Sequence, residues 1–293
     1  MIKRLAFIGL GVMGASMAEH LLRTGLPLSV HTRTRSRASR LIDLGAVWAN
    51  TPADAAQQAD AVFICVNDTP DAEKVILGEK GVASVARPGM VVVDHSTISP
   101  SATRAMAQAL AQKQTALIDA PVSGGDVGAK AATLAIMVGG ERGAFEEVEP
   151  LLRKLGSTIT YCGASGCGQL TKLVNQILVS VTNLAVCEAL VFAKKHGLDL
   201  DNTLQAVEGG AGASWQLVNL GPRMISNDMR PGFSIALQQK DLRLVLRAAE
   251  ESNTSLPAAS LVHQLFTAAQ AAGHSKDGTQ ALYTVVEKLA SLH

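Results

Sequence analysis

The chain has 293 residues, 47% of them apolar, which exceeds one average domain and is enough to bury two cores. A net charge of +1, 17% charged residues and an aromatic set of six Phe, two Tyr and two Trp supply neither a basic field nor a stacking surface for nucleic acid, and no basic patch for an anionic membrane. The expected partner is a small molecule.

The first apolar run, "LAFIGLGVMGASMA", follows Lys3 and Arg4 in the manner of a signal peptide, but its glycine spacing accounts for it better. From there to about residue 160, short β-rich runs alternate with amphipathic stretches: "RLAFIGL", "LSVHT", "AVFICV", "VVVDHS", "ALIDAPVS", "LAIMVGG" and "STITYC". Helical segments are expected between them, at residues 15–24, 36–44 and 101–112. This βαβ order predicts a parallel sheet flanked by helices. After Cys162 the glycine cluster "GASGCG" gives way to some 28 residues without Gly or Pro, about 40 Å of helix. Part of it, "LVNQILVSVTNLAVCEALVFA", is long enough to span a bilayer, yet Asn175, Gln176, Asn183 and Glu188 mark it as a buried core helix. The remainder keeps helical periodicity. The expected architecture is an α/β Rossmann-type N-terminal domain over residues 1–163 and an all-α C-terminal domain over 164–293, joined by the long helix. Cys65, Cys162, Cys167 and Cys187 form no C-x-x-C pair and no zinc set, so they read as reduced, buried thiols of a cytoplasmic protein without a metal.

Gly9, Gly11 and Gly14 in "FIGLGVMG" have the G-x-G-x-x-G spacing between a strand and a helix, with Leu10, Val12 and Met13 in the turn. In that context they fit a dinucleotide pyrophosphate at a helix N-terminus. The second strand should end on a carboxylate if the cofactor is NAD. It ends "HTRTRSR" instead, and Thr32, Arg33 and Thr34 suit the 2′-phosphate of NADP. Under the alternative, a solvated basic helix start, NAD stays possible.

Short-chain dehydrogenase chemistry needs Tyr-x-x-x-Lys, and Tyr161 and Tyr283 have Ser165 and Glu287 four places on. His196 reads as a helix-end residue, and His95, at a strand terminus beside Asp94, is a secondary candidate for ligand contact. Lys172 remains as the proton-transfer candidate, the only charge between Lys154 and Glu188. Apolar surroundings lower an ammonium's pKa toward the working range of a general acid, although a lysine whose stem packs and whose head reaches water gives the same pattern. Asn175 and Gln176 follow on or near the same helix face. In "DAPVSGGDVGAKAATLAIMVGG" a strand runs into Ser123, Gly124 and Gly125, whose N–H groups suit a carboxylate.

Together, "IGLGVMGASMA", "DAPVSGGDVGAKAATLAIMVGG", "GCGQLTKLVNQ" and "PGFSIALQQKDL" make the whole chain resemble the β-hydroxyacid dehydrogenase family, nearest in look to its tartronate semialdehyde reductase branch. The resemblance implies Lys172 as the catalytic lysine, Ser123–Gly125 as the substrate-carboxylate site and Asn175 as a substrate-orienting partner. It also implies Lys240, beside Asp241, and Thr97 on the cofactor, and Val66 and Asn67 over its adenosine side. A homodimer or homotetramer is implied as well. The chain departs from the pattern where the family's NADP-type strand ends Asn-Arg-Thr, in the loop "VNDTPDA", and at Trp215 in "GASWQL", which either narrows the pocket or packs in the helical core. The expected reaction is NADPH-linked interconversion of a small 3-oxo acid and its 3-hydroxy acid. NAD-linked oxidation of 3-hydroxyisobutyrate or L-threonate, or a catalytically silent cofactor-binding module, are the alternatives.

Overall fold

The computed structural model describes residues 2–292. Contacts divide the chain into two compact units, Met1–Lys172 and Leu173–His293.

The first unit is built on a nine-stranded sheet. Its strands are β1 (Leu5–Ile8), β2 (Leu28–His31), β3 (Val47–Trp48), β4 (Ala61–Ile64), β5 (Val91–Asp94), β6 (Ala116–Asp119), β7 (Val122–Ser123), β8 (Leu134–Gly139) and β9 (Gly156–Gly163). The order is β3-β2-β1-β4-β5-β6-β8-β7, with β9 beside β8. The first six strands are parallel in the doubly wound order, in which the order of strand addition reverses between β1 and β4.

β1, β4 and β5 are buried along their whole length, so they read as continuous apolar runs. Alternation still sorts their side chains. Leu5, Phe7, Phe63 and Val93 join one core with Met17 and Leu21, while Ala6, Ile8, Val62, Ile64 and Val92 join another with Ile76, Met106 and Leu110. Helices thus cover both faces. Each large side chain so buried contributes on the order of 1.5–3 kcal/mol.

The sheet departs from the expected all-parallel form after β6. β8 runs antiparallel to β6 and β7. The chain between β7 and β8 holds only the helix Gly125–Ala131 and a short turn, less than the dozen or so residues a parallel crossover needs. The two-residue β3 was not visible in the sequence pattern, and the expected helix over 36–44 is a 3₁₀ turn (Arg35–Ala38) running into Ser39–Asp43. The expected helices at 15–24 and 101–112 lie at Val12–Leu22 and Pro100–Ala111.

The long helix runs from Cys167 to Lys195. It is the one helix among the described residues long and apolar enough to cross a membrane, and half of its most apolar window is buried in the protein. The second unit adds Leu200–Glu208, Trp215–Ile225, Ile235–Glu251, Pro257–Ala271 and Leu282–Leu289 around Leu190, Leu242, Phe266 and Leu282. Asp199, Ser214 and Ser234 start three of these helices by accepting N–H groups of the first turn. All four cysteines are free thiols, but only Cys187 is buried. Cys65, Cys162 and Cys167 are partly exposed because they sit at strand and helix ends instead of in the cores.

Candidate active site

Strand register brings the first unit's candidates to one edge. Ile8 lies level with His31 and Ile64, Ile64 with Asp94, and Asp94 with Asp119. The residues that follow each strand therefore leave from a common line: Gly9, Thr32–Thr34, Val66 and Asn67, and Thr97. In open α/β sheets this is the edge where ligands bind.

Gly9 has φ +98°, and a Cβ there would strike the Cys65 carbonyl, while a Cβ on Gly14 would strike the Gly9 carbonyl. Gly11 has open space above it, and it heads the helix Val12–Leu22 with no side-chain cap and no acidic residue in the first turn. Leu10 is buried and Val12 is exposed. The free first-turn N–H groups and the room over Gly11 form a cradle that can hold a pyrophosphate.

The loops beside the cradle are knitted together. The Val66 N–H donates to Ser96 Oγ at 2.9 Å, and the Ser99 N–H to Thr69 Oγ1 at 3.0 Å. Among the arginines after β2, Arg40 pairs with Glu19 and holds that carboxyl below its ordinary range, and Arg35 lies over the Trp48 ring. Arg33 points into solvent with 79% of its side chain exposed and pairs with Asp71 Oδ1 at 3.4 Å. It is available to an anionic ligand, but in competition with Asp71.

His95 is buried against Phe63 and directs Nδ1 at the Ala120 carbonyl at 2.7 Å. Burial pulls its pKa down to about 4, so the ring is neutral at physiological pH and serves packing and strand-end hydrogen bonding.

Ser123 ends β7 opposite Ala135 and is half buried. Gly124 and Gly125 follow with φ +129° and +62°, a left-handed pair that turns the chain into the helix Gly125–Ala131. Asp126 in its first turn pairs with Lys130 at 3.1 Å.

Lys172 is 7% exposed. Gln169, Lys172, Leu173 and Gln176 are all buried and follow the i, i+3, i+4, i+7 spacing of one helix face, which is why a lone charge stands in an apolar stretch. The start of this helix is tied to the sheet edge by a residue to which the sequence alone assigns no role. Asp119, fully buried at the end of β6, accepts from the Gly166 N–H at 2.8 Å and the Gln169 N–H at 2.9 Å. Burial raises its carboxyl pKa and these N–H groups oppose the rise. It is the anionic cap that the helix lacks in its own first turn.

In the second unit, Asn175 Nδ2 donates to Gln176 Oε1, Gln176 Nε2 donates to Asp241 Oδ2, and Lys240 Nζ pairs with Asp241 Oδ1 at 2.7 Å. Gln176 and Lys240 thus converge on one buried carboxylate, and Asn175 is tied to it through Gln176. Trp215 does not join them. It is the first residue of its helix and 63% exposed, which excludes packing in the helical core.

Comparison with known proteins bears on this geometry directly. Residues 4–163 match the NAD binding domain of 6-phosphogluconate dehydrogenase, and residues 166–286 match the NAD-binding domain of NADP-dependent 3-hydroxyisobutyrate dehydrogenase. The chain belongs to the β-hydroxyacid dehydrogenase family. It is 42% identical over 288 residues to the 2-hydroxy-3-oxopropionate reductase of Escherichia coli, covering 98% of each chain. It is 35% identical to the NAD-dependent L-serine dehydrogenase of Pseudomonas aeruginosa, again over 98% of each. The 3-hydroxyisobutyrate dehydrogenase of Mycobacterium tuberculosis, solved with L-serine, is 31% identical with a TM-score of 0.89 over 99% of each chain. This dehydrogenase is accordingly an NAD(P)-dependent 3-hydroxyacid oxidoreductase.

Proposed function

We propose that the protein reduces a small carboxylate semialdehyde to its 3-hydroxy acid with NADPH, Lys172 being the proton donor. When bound, the cofactor supplies the hydride. The observation that carries the reading is the burial of Lys172 on a helix whose first turn is pinned, through Asp119, to the same sheet edge as the glycine cradle. An ammonium held out of water stands ready to protonate a carbonyl oxygen as negative charge develops there. Ser123 Oγ and the N–H groups of Gly124 and Gly125 hold the substrate carboxylate and so aim the carbonyl, while Asn175 and Gln176 orient it as neutral donors. Gly9 to Gly14 hold the pyrophosphate, Val66, Asn67, Thr97 and Lys240 contact the cofactor, and Thr32–Thr34 take the 2′-phosphate. Trp215 borders the substrate.

A second reading, NAD-linked oxidation of a 3-hydroxy acid, is favoured by two features: Arg33 is already engaged by Asp71, and a relative at 35% identity is named for NAD. The free thiols fit a reducing, cytoplasmic setting. The exposed Val174, Leu178 and Phe192 on one helix fit a homodimer or homotetramer.

The test is a panel of short aldehydes, with and without a carboxylate, assayed against NADPH and NADH. Carboxylate semialdehydes should be reduced with a kcat/KM about 10²-fold or more above that of uncharged aldehydes of equal size, because a site built for an anion is left unpaired by its analogue. Indifference to the carboxylate, or no reduction of any semialdehyde, overturns the proposal.

A further inference from the structure

Gln169 is fully buried, and its amide is used at both ends. Nε2 donates to the Ser96 carbonyl at 2.8 Å, and Oε1 accepts the Ile98 N–H at 3.1 Å. One side chain therefore grips the two peptide groups that bracket Thr97. A carbonyl only accepts and an N–H only donates, so these partners fix the orientation of the amide. The root of the side chain is held as firmly as its tip: the Gln169 N–H is bound by Asp119, and at Gly168 a Cβ would come within 2.5 Å of the Met137 carbonyl and 2.6 Å of the Asp119 carbonyl. The helix start sits directly on the strand ends. Lys172 follows three residues later on the same buried face.

We infer that Gln169 is a positioning residue, which sets the separation between the proton donor Lys172 and the loop that carries Thr97. The inference rests on the reading of Lys172 as the acid and of Thr97 as a cofactor contact. Hydride and proton must reach one carbonyl from two elements, a helix and a strand-end loop, and a misplacement of about 1 Å between them costs on the order of 10²-fold in rate. The Gln169 amide is a direct strut between those elements. Ser96 extends it, since the same residue that gives Gln169 its carbonyl also takes the Val66 N–H.

Two variants test this. Gln169→Leu removes both hydrogen bonds at nearly constant volume. Gln169→Glu keeps the acceptor for the Ile98 N–H, but as a carboxylate it sets a second oxygen against the Ser96 carbonyl. Once protonated, its O–H donates to Ser96 and its C=O accepts from Ile98, restoring the native pattern. Stopped-flow hydride transfer from pre-bound NADPH gives a rate constant and an amplitude. A purely structural role lowers the amplitude, which counts folded sites, and leaves the rate constant alone. The expected result is a rate constant reduced about 10- to 100-fold in Gln169→Leu. In Gln169→Glu, the rate relative to wild type should climb as pH falls from about 8 to about 5.5, since a buried carboxyl titrates above its usual range.

A wild-type rate constant in Gln169→Leu, or a flat ratio for Gln169→Glu, overturns the inference, and the Glu profile decides alone if the Leu variant does not fold. Failure of the underlying reading is separable. Wild-type hydride transfer in Lys172→Met removes the lysine whatever Gln169 does, whereas a slow Lys172→Met beside a fast Gln169→Leu removes only the strut.

Discussion

Arg33 and Lys172 are both cations of the first unit, and they are built in opposite ways. Arg33 leaves the end of β2 into solvent, and its exposed pair with Asp71 is of a kind worth about 0–1 kcal/mol. Lys172 is buried one turn beyond a helix start that Asp119 and Gln169 fasten to the strand ends. Water and counterions can replace what Arg33 offers, but no solvent can stand in for Lys172. The contrast suggests that cofactor choice at the exposed end is adjustable in small steps, and that chemistry at the buried end is nearly all or nothing.

The largest effect expected from this contrast is on Lys172. Lys172→Met should lower turnover about 10²- to 10⁴-fold, the range for loss of a positioned general acid, with NADPH affinity nearly unchanged. Lys172→Arg should not restore it, because a guanidinium does not release its proton. Steady-state reduction of a semialdehyde, with cofactor affinity from nicotinamide fluorescence, checks both. Near-normal turnover in Lys172→Met would erase the distinction between the two ends.

A second test asks whether His95, buried at the same strand-end edge, is held neutral. His95 has its pKa lowered to about 4 by burial, from an ordinary value of 6.5. The unfolded chain therefore takes up the proton first. The stability that His95 contributes is fully present above pH 6.5 and is lost as pH falls toward 4, on the order of 3 kcal/mol in all. His95→Asn keeps a donor for the Ala120 carbonyl and removes the titration. It should be less stable at neutral pH, having lost the stack on Phe63, but the gap to wild type should close on acidification. Urea unfolding across that range measures the gap. A constant difference would mean that the ring is not held neutral.

The two ends also differ in how far the sequence revealed them. The glycine cradle was legible because its spacing follows from local needs: a turn at Gly9, room at Gly11 and close packing at Gly14. The long helix was legible because nothing in it breaks periodicity. The strut was not. Gln169 and Asp119 meet across 50 positions of chain, and a buried amide inside an apolar helix carries no periodic signal. The one hint was the cluster "GASGCG", whose Gly168 is needed because the helix start touches the strand ends. The reversal of β8 was hidden for a similar reason: strand direction depends on the length of the preceding connection, and the alternation pattern is blind to it. Trp215 shows the limit from the other side, since residue type left a pocket wall and a core equally open, and only the helix-start position, which leaves the ring exposed, excludes the core.

The smallest effect is expected at Arg33. No carboxylate directly follows β2 to hold a ribose hydroxyl, and Arg33 is the residue proposed to meet a 2′-phosphate. One charge-assisted contact of about 1.5 kcal/mol corresponds to roughly a tenfold preference in kcat/KM for NADPH over NADH. Arg33→Ala should erase that preference by weakening NADPH alone, with NADH use unchanged. Because the guanidinium is exposed, the wild-type preference should also shrink as salt is raised from about 0.05 to 0.5 M, while Lys172-dependent turnover at saturating substrate should barely respond. Asp71 competes for the same guanidinium, so Asp71→Asn should sharpen the preference two- to threefold, about what an exposed ion pair is worth. Paired kinetics with the two cofactors at several ionic strengths decides the matter. Equal use of both by the unmutated protein would place the 2′-phosphate elsewhere, and a preference insensitive to salt would show that Arg33 becomes buried when cofactor binds, making the two ends alike after all.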